Sequence, residues 1–147
     1  MLTSNFDSRI ADKFVVRFPK SIHQGLLEMA AAGDRSFNSE IKQAVDNWFN
    51  DESLTRKIHT TLVSIHSDAS RALAISSMTP DPQGHAEGTK KYVARFSPGV
   101  RQEIGEKAQE CKMSMNSLII LATTWWVNTH LEIRALVSGA RPTKEKI

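Results

Sequence analysis

The sequence predicts a mostly α-helical fold with a small β-ribbon, built from two βαα repeats in one chain. The first observation is a short strand, Lys13–Phe18, that recurs 78 positions later as Lys91–Phe96. The second is that the same ungapped offset aligns a Ser-x-Asn-Ser motif at 36–39 with another at 114–117. Across 13–50 and 91–128, 14 of 38 positions are identical, which indicates an internal repeat. The third observation is that apolar residues at helical spacing follow each strand.

The two strands carry the same charged face. Side chains alternate along a strand, so one face of each copy is apolar and is predicted to face the core: Phe14, Val16, Phe18, Tyr92, Ala94 and Phe96. The opposite face reads Lys-x-Val-x-Arg in both copies. Two cations around a small apolar side chain, repeated at the same spacing, indicate a surface that binds a negatively charged partner.

Two helices are predicted after each strand. Pro19 and Ser97-Pro98 are typical of a helix start, and Ser36 and Ser114 are expected to cap the second helix of each repeat. The first helices are expected to bury Ile22, Leu26, Leu27 and Met29 or Ala30, and, in the second copy, Val100, Ile104, Ala108 and Cys111. The second helices are expected to bury Phe37, Ile41, Val45, Trp48 and Phe49, and Met115, Leu118, Ile119, Ala122, Trp126 and Val127.

One βαα repeat alone has no partner for its strand and buries little surface. Two repeats are therefore expected to pair through an antiparallel two-stranded ribbon. The pairing could join the two repeats of one chain or those of two chains. The divergence between the repeats favours an intramolecular pseudo-dimer.

The chain is predicted to divide into five segments. These are a flexible arm (1–12), the first repeat (13–50), a linker (51–90), the second repeat (91–130), and a helix extension with a basic tail (131–147). The linker combines a helix over about 52–77 with a Pro/Gly loop. The helix has an apolar stripe at helical spacing, formed by Leu54, Ile58, Leu62, Ile65, Ala69 and Ala72. This stripe predicts either that the helix packs on its own domain or that it forms a homodimer through 52–77.

Composition narrows the function classes. A hydrophobic fraction of 40 %, a net charge of +3 and a single cysteine are typical of a soluble cytoplasmic protein without disulfides. The longest apolar run, 118–127, is too short for a membrane span. The five histidines are scattered, and no catalytic motif is present. We therefore expect neither an enzyme nor a metal or cofactor site.

The strand and the start of the second helix in the first repeat carry a family resemblance. The segment 11–17, followed by Arg35 and by Asn38-Ser39-Glu40-Ile41, resembles the ribbon-helix-helix family, which includes the Arc and Mnt repressors of phages. Within that family it is most similar to the alginate-and-motility regulator branch. The second repeat resembles the family less closely, with Ser97 in place of the proline and Leu118 in place of the glutamate.

The resemblance implies that the ribbon enters the DNA major groove. By position, the residues expected to contact bases are Lys13, Val15, Arg17, Lys91, Val93 and Arg95. Those expected to contact phosphate, at the start of the second helices, are Ser36, Phe37, Asn38, Ser114, Met115 and Asn116.

The function expected from the resemblance is a sequence-specific regulator of a phage, plasmid or bacterium, acting as a repressor on double-stranded DNA and associated with the nucleoid when bound. One alternative is an accessory protein of a relaxosome or partition system. Another is an antitoxin or protein-binding module that contacts a protein partner through 51–90 or 129–147.

Overall fold

The computed structural model describes residues 12–68, 71 and 88–139. Within these residues the chain forms two strands and five helices: β1 (Asp12–Pro19), α1 (Lys20–Ala32), α2 (Phe37–Phe49), α3 (Leu54–Ile65), β2 (Thr89–Phe96), α4 (Pro98–Glu110) and α5 (Met115–Gly139). The predicted mostly helical fold with a two-stranded antiparallel sheet is confirmed. Of the helices described, none has the combination of length and hydropathy needed to cross a membrane.

The ribbon is formed by β1 and β2, which pair antiparallel with Val15 opposite Val93. Its inner face lies on the helices and contributes Val16, Phe18, Ala94 and Phe96 to the core as fully buried side chains. A slip of one residue would turn this apolar face outward and bury the cations. Burial of the inner face therefore fixes the register.

The core lies between the ribbon and the helices. α2 packs against α5, and both contact the ribbon, while α1 contacts α2 and α5. The fully or almost fully buried apolar residues of the helices include Leu26, Ile41, Ala44, Val45, Ile104, Leu118, Ile119 and Ala122. One contiguous apolar cluster thus combines residues from 13–50 with residues from 91–128.

The turn between α1 and α2 and the turn between α4 and α5 have the same backbone features. Asp34 (φ 52°) and Lys112 (φ 55°) both adopt the left-handed conformation, and they are 78 positions apart. The hydrogen bond from the Arg35 N–H to the Ala30 carbonyl (2.8 Å) corresponds to that from Met113 to Ala108 (3.0 Å). Such bonds satisfy carbonyl groups left unpaired at a helix C-terminus.

A buried carboxylate connects α2 with α5. Glu40 is fully buried and accepts hydrogen bonds from Arg35 Nε and from Trp126 Nε1, each at 2.8 Å. At the position equivalent to Glu40 the chain has Leu118, which packs in the apolar core. The hydrogen bond between Glu40 and Trp126 therefore joins the two segments through a carboxylate that the second segment lacks.

Two expected core positions are exposed. Leu27 is 40 % exposed because the buried face of α1 follows Ile22, Leu26 and Ala30, four residues apart, and Leu27 lies one residue off that line. Cys111 is exposed because it is the C-terminal cap of α4, where the chain turns toward α5. Predicting either residue as buried was wrong.

The structure describes part of the helix predicted over 52–77, in which Asp68 and Arg71 are again helical after a break at His66. α3 ends at Ile65, and His66 has an extended backbone (φ −103°, ψ 141°). Its apolar stripe is largely exposed, with Leu54 72 % and Ile65 68 % accessible. The parts of the arm, linker helix, Pro/Gly loop and tail predicted for 1–11, 69–70, 72–87 and 140–147 lie outside the described residues.

Polar contacts orient α3. The Arg56 side chain donates to the carbonyl oxygens of Trp48 (2.8 Å) and Asn47 (3.3 Å) at the end of α2, and its guanidinium lies 4.4 Å from the Trp125 ring centroid. His59 Nε2 lies 3.0 Å from a carboxylate oxygen of Glu132 on α5. These contacts place the polar side of α3 against the protein, which leaves its apolar stripe outside.

Candidate nucleic-acid interface

The ribbon presents one exposed face, which we call the outer face. It consists of the six residues predicted to contact bases: Lys13, Val15, Arg17, Lys91, Val93 and Arg95. Val15 and Val93 face each other at its centre and are 45 % and 40 % exposed. The structure therefore brings together on one surface residues that are 78 positions apart in the sequence.

The outer face has two-fold symmetry. Lys13 lies opposite Arg95, and Arg17 lies opposite Lys91. A two-fold axis through the valine pair consequently exchanges Lys13 with Lys91 and Arg17 with Arg95. The surface therefore presents the same side chains in both directions along the ribbon, although the core beneath it is asymmetric.

The cations of the outer face oppose each other in like-charge pairs. Directly opposite side chains in an antiparallel pair have Cβ atoms about 4.5–5.5 Å apart, and like charges there are destabilising. Within the described ranges no carboxylate forms a salt bridge with any of the four cations. An anion bound across the face would relieve this repulsion.

The N-termini of α2 and α5 lie at the two edges of the ribbon. Asn38 on α2 bonds to the backbone of β2, and Asn116 on α5 bonds to the backbone of β1. The six residues predicted to contact phosphate thus flank the outer face on both sides. This arrangement places two helix ends, each with partial positive charge, beside the four cations.

The side chains at these helix ends are engaged within the protein. Ser36 Oγ accepts from the Ser39 N–H (3.1 Å) and Ser114 Oγ from the Ser117 N–H (3.0 Å), as N-caps. Phe37 is half-buried against Phe18, His23 and Tyr92, and Met115 packs on the core. What remains for an external acceptor is the main-chain N–H of the first two residues of each helix.

Burial beneath the ribbon shifts two ionisable groups. Burial, aided by the nearby charge of Lys90, lowers the pKa of His23. Burial also raises the pKa of Tyr92, although Arg95 opposes that shift. Both shifts favour the neutral form of the group.

Sequence reasoning missed the contacts that three residues make with the ribbon. Arg101 on α4 donates to the Lys13 carbonyl (3.3 Å), and its guanidinium lies 5.5 Å from the centroid of the Phe14 ring. The hydrogen bonds of Asn38 and Asn116 to the strands were also not foreseen. The repeat signal matched Asn38 with Asn116, but an identity between two positions does not reveal which atoms they contact.

Comparison with known proteins gives one match. Residues 8–56, about a third of the chain, match the family model described as Arc-like DNA binding domain. Searches of curated proteins and of solved structures find no match. The matched region holds β1, α1, α2 and the start of α3, so the ribbon-helix-helix resemblance is confirmed for that part. The match supports a DNA-binding part within residues 8–56.

Proposed function

We propose that this protein is a sequence-specific transcriptional regulator that represses promoters by inserting its ribbon into the major groove of double-stranded DNA. The observation that carries the proposal is the outer face, with four cations lacking a salt-bridge partner in the described residues around a central valine pair. Strands about 4.8 Å apart fit within a groove about 12 Å wide. Repression follows where the bound site overlaps a promoter.

The proposed contacts follow from the chemistry of the outer face. Arginine or lysine donates to guanine O6 and N7, and valine packs against the thymine methyl group. A good bidentate contact contributes about 1–3 kcal/mol of discrimination between bases. The N–H groups at the starts of α2 and α5 would bind phosphates on either side and fix the ribbon's orientation without specifying sequence.

One chain would supply both halves of the binding unit. Three facts support a second ribbon-helix-helix repeat at 91–130 and its pairing with 13–50. The register centres on equivalent valines, the turn hydrogen bonds recur at the same offset, and Glu40 accepts from Trp126 across the core. Because the outer face is two-fold symmetric, we expect it to prefer an inverted-repeat site.

Arginine substitution tests this function. We expect Arg17→Ala and Arg95→Ala each to weaken binding to a selected site by about 1–3 kcal/mol and to affect random DNA little. Arg134→Ala, an exposed position on the C-terminal half of α5, is the matched control and should leave affinity unchanged. Fluorescence anisotropy at several salt concentrations should also show that affinity decreases steeply with salt. The cations of the outer face neutralise DNA phosphates, which releases the counterions condensed on the DNA.

Two results would contradict the proposal. Equal losses on selected and random DNA would reduce the arginines to phosphate contacts. A flat salt response with no selectable site would instead favour the antitoxin or protein-binding alternative. That alternative has one observation in its favour, the exposed apolar stripe of α3. A relaxosome or partition accessory role shares the DNA chemistry, and binding confined to a transfer or partition locus would favour it.

A further inference from the structure

The side chain of Asn38 holds the backbone of a residue in the other strand. The Arg95 N–H donates to Asn38 Oδ1 at 2.8 Å, and Asn38 Nδ2 donates to the Arg95 carbonyl at 3.0 Å. On the opposite edge the Arg17 N–H donates to Asn116 Oδ1 at 3.1 Å. Each asparagine therefore contacts the arginine of the segment to which it does not belong.

These contacts complete the open edges of the ribbon. In a two-stranded sheet each strand has one edge with unpaired N–H and C=O groups. A primary amide offers one acceptor and donor hydrogens, so it can pair with the N–H and C=O of a single residue, as a third strand would. Fixing the backbone of Arg95 at this point also fixes the direction in which its side chain leaves the outer face.

The asparagine side chains have no capping duty that would explain their position. Ser36 and Ser114 already cap α2 and α5 through their hydroxyl groups. Asn38 and Asn116 are the second residues of these helices, where asparagine is not a favoured helix former. Their position is explained by the strand contact, which joins each proposed phosphate-binding helix end to one proposed base-contacting arginine.

We infer that Asn38 and Asn116 are positioning residues for base recognition, with Asn38 orienting Arg95 and Asn116 orienting Arg17. The inference rests on the proposed function. It predicts that a substitution in one segment alters base recognition by the arginine of the other segment. Asn38 makes two hydrogen bonds and Asn116 one, so Asn38 should have the larger effect.

The test is base selection from a random DNA library with the full chain and with Asn38→Ala and Arg95→Ala. The wild type should select two arms, and Arg95→Ala identifies the arm that Arg95 contacts. We expect Asn38→Ala to lose about two- to tenfold in discrimination in that same arm, as for loss of an ordinary hydrogen bond, and to leave the other arm unchanged. Asn116→Ala should do the same in the arm that Arg17 contacts.

A double substitution separates positioning from stability. With Arg95 already replaced by alanine, Asn38→Ala should cause no further loss of discrimination in that arm. Asn128→Ala, exposed on α5, is the matched control and should leave both arms as in the wild type. Urea unfolding of each variant checks folding, and Asn116→Ala, which removes only one bond, provides a milder second variant.

The outcomes are distinguishable. A uniform loss in both arms, or an equal loss on random DNA, would mean that the amide contacts phosphate or only supports the fold, and it would overturn the inference. Failure of the wild type to bind any DNA would overturn the proposed function and this inference with it. Selection by the wild type with no arm-specific change in either asparagine variant would refute the inference alone.

Discussion

Glu40 shows how one residue can distinguish the two halves of the molecule. Its carboxylate is fully buried and has partners from both segments, Arg35 and Trp126, each at 2.8 Å. At the equivalent position Leu118 fits among apolar side chains. The two halves of the core therefore differ in polarity, and Trp126 donates to an acceptor that its own segment lacks.

A double-mutant cycle measures this contact. Trp126→Phe leaves a buried carboxylate oxygen without its donor, and Glu40→Leu leaves a buried indole N–H without its acceptor. Each should lower the free energy of unfolding by about 1–3 kcal/mol. Arg35 is 41 % exposed and can be hydrated when Glu40 is removed. The double variant should lose clearly less than the sum in urea unfolding, whereas additive losses would show that the two groups are not coupled.

His130 gives the stability a predictable pH dependence. Burial lowers its pKa from 6.5, outweighing its hydrogen bond to the Trp126 carbonyl and the charge of Glu40. His130 therefore binds a proton more tightly in the unfolded chain than in the folded chain. The contribution of neutral His130 to the free energy of unfolding is fully present above pH 6.5 and is lost as the pH falls through the lowered pKa. His23, also shifted downward, acts in the same direction.

We expect the urea concentration at the midpoint of unfolding to decrease as the pH is lowered from 7.5 to 5.5. His130→Gln should make this decrease smaller. Burial raises the pKa of Glu132, but hydrogen bonds to Arg71 and His59 lower it to below 4.5. The range from pH 7.5 to pH 5.5 therefore lies above the titration of Glu132. A fall of unchanged size in His130→Gln would assign the pH dependence to other groups, with His23 the next to be replaced.

At the scale of elements, α1 and α5 approach closely at Gly25. A Cβ atom there would lie 2.7 Å from Val127 Cγ1, whereas one at Gly105 in α4 would be 3.8 Å from its nearest neighbour, Met115 Sδ. Alanine favours a helix over glycine by about 1 kcal/mol, and overpacking costs about 1–3 kcal/mol. We expect Gly25→Ala to destabilise the protein by about 1 kcal/mol and Gly105→Ala to stabilise it by up to that amount.

Chemical denaturation of the two glycine variants side by side provides the measurement. Each variant serves as the control for the other, because both replace a helix-interior glycine and so reduce by the same amount the backbone entropy lost on folding. An equal gain in stability would show that α1 can move away from Val127 at no cost.

The elements could be predicted where local chemistry determines them. The Ser36 and Ser97-Pro98 caps mark helix starts, and the alternation in 13–18 specifies a strand with one charged face. The end of α3 could not be predicted, since the apolar spacing continues beyond Ile65 while the backbone turns extended at His66. Whether its stripe is buried or exposed was left open, because the contacts of Arg56 and His59 that orient α3 depend on residues distant in the sequence.

The surface that the candidate site residues share could be predicted, but their contacts could not. Alternation and the 78-residue offset were enough to place the six residues of the outer face on one surface. The strand contacts of Asn38 and Asn116 depend on which helix end lies beside which strand edge. That arrangement is a property of the packed molecule.

For the whole molecule, we propose that one chain is sufficient to form the DNA-binding ribbon. β1 and β2 belong to the same chain, and the contacts that flank the ribbon cross between its two segments. We therefore expect one chain per shortest bound DNA site, measured by the mass of the complex in analytical ultracentrifugation. Two chains on that site would mean that strands pair between chains.

The apolar stripe of α3 requires a separate control, because self-association could raise the mass without changing the ribbon. A Leu54→Ser and Ile65→Ser double variant alters two side chains that are mostly exposed, so it should retain the fold and the one-chain complex. If the wild type forms larger species and this variant does not, the stripe joins chains that already hold complete ribbons. If both proteins require two chains on the shortest site, pairing of strands within one chain is refuted, and the inverted-repeat preference would then belong to a dimer.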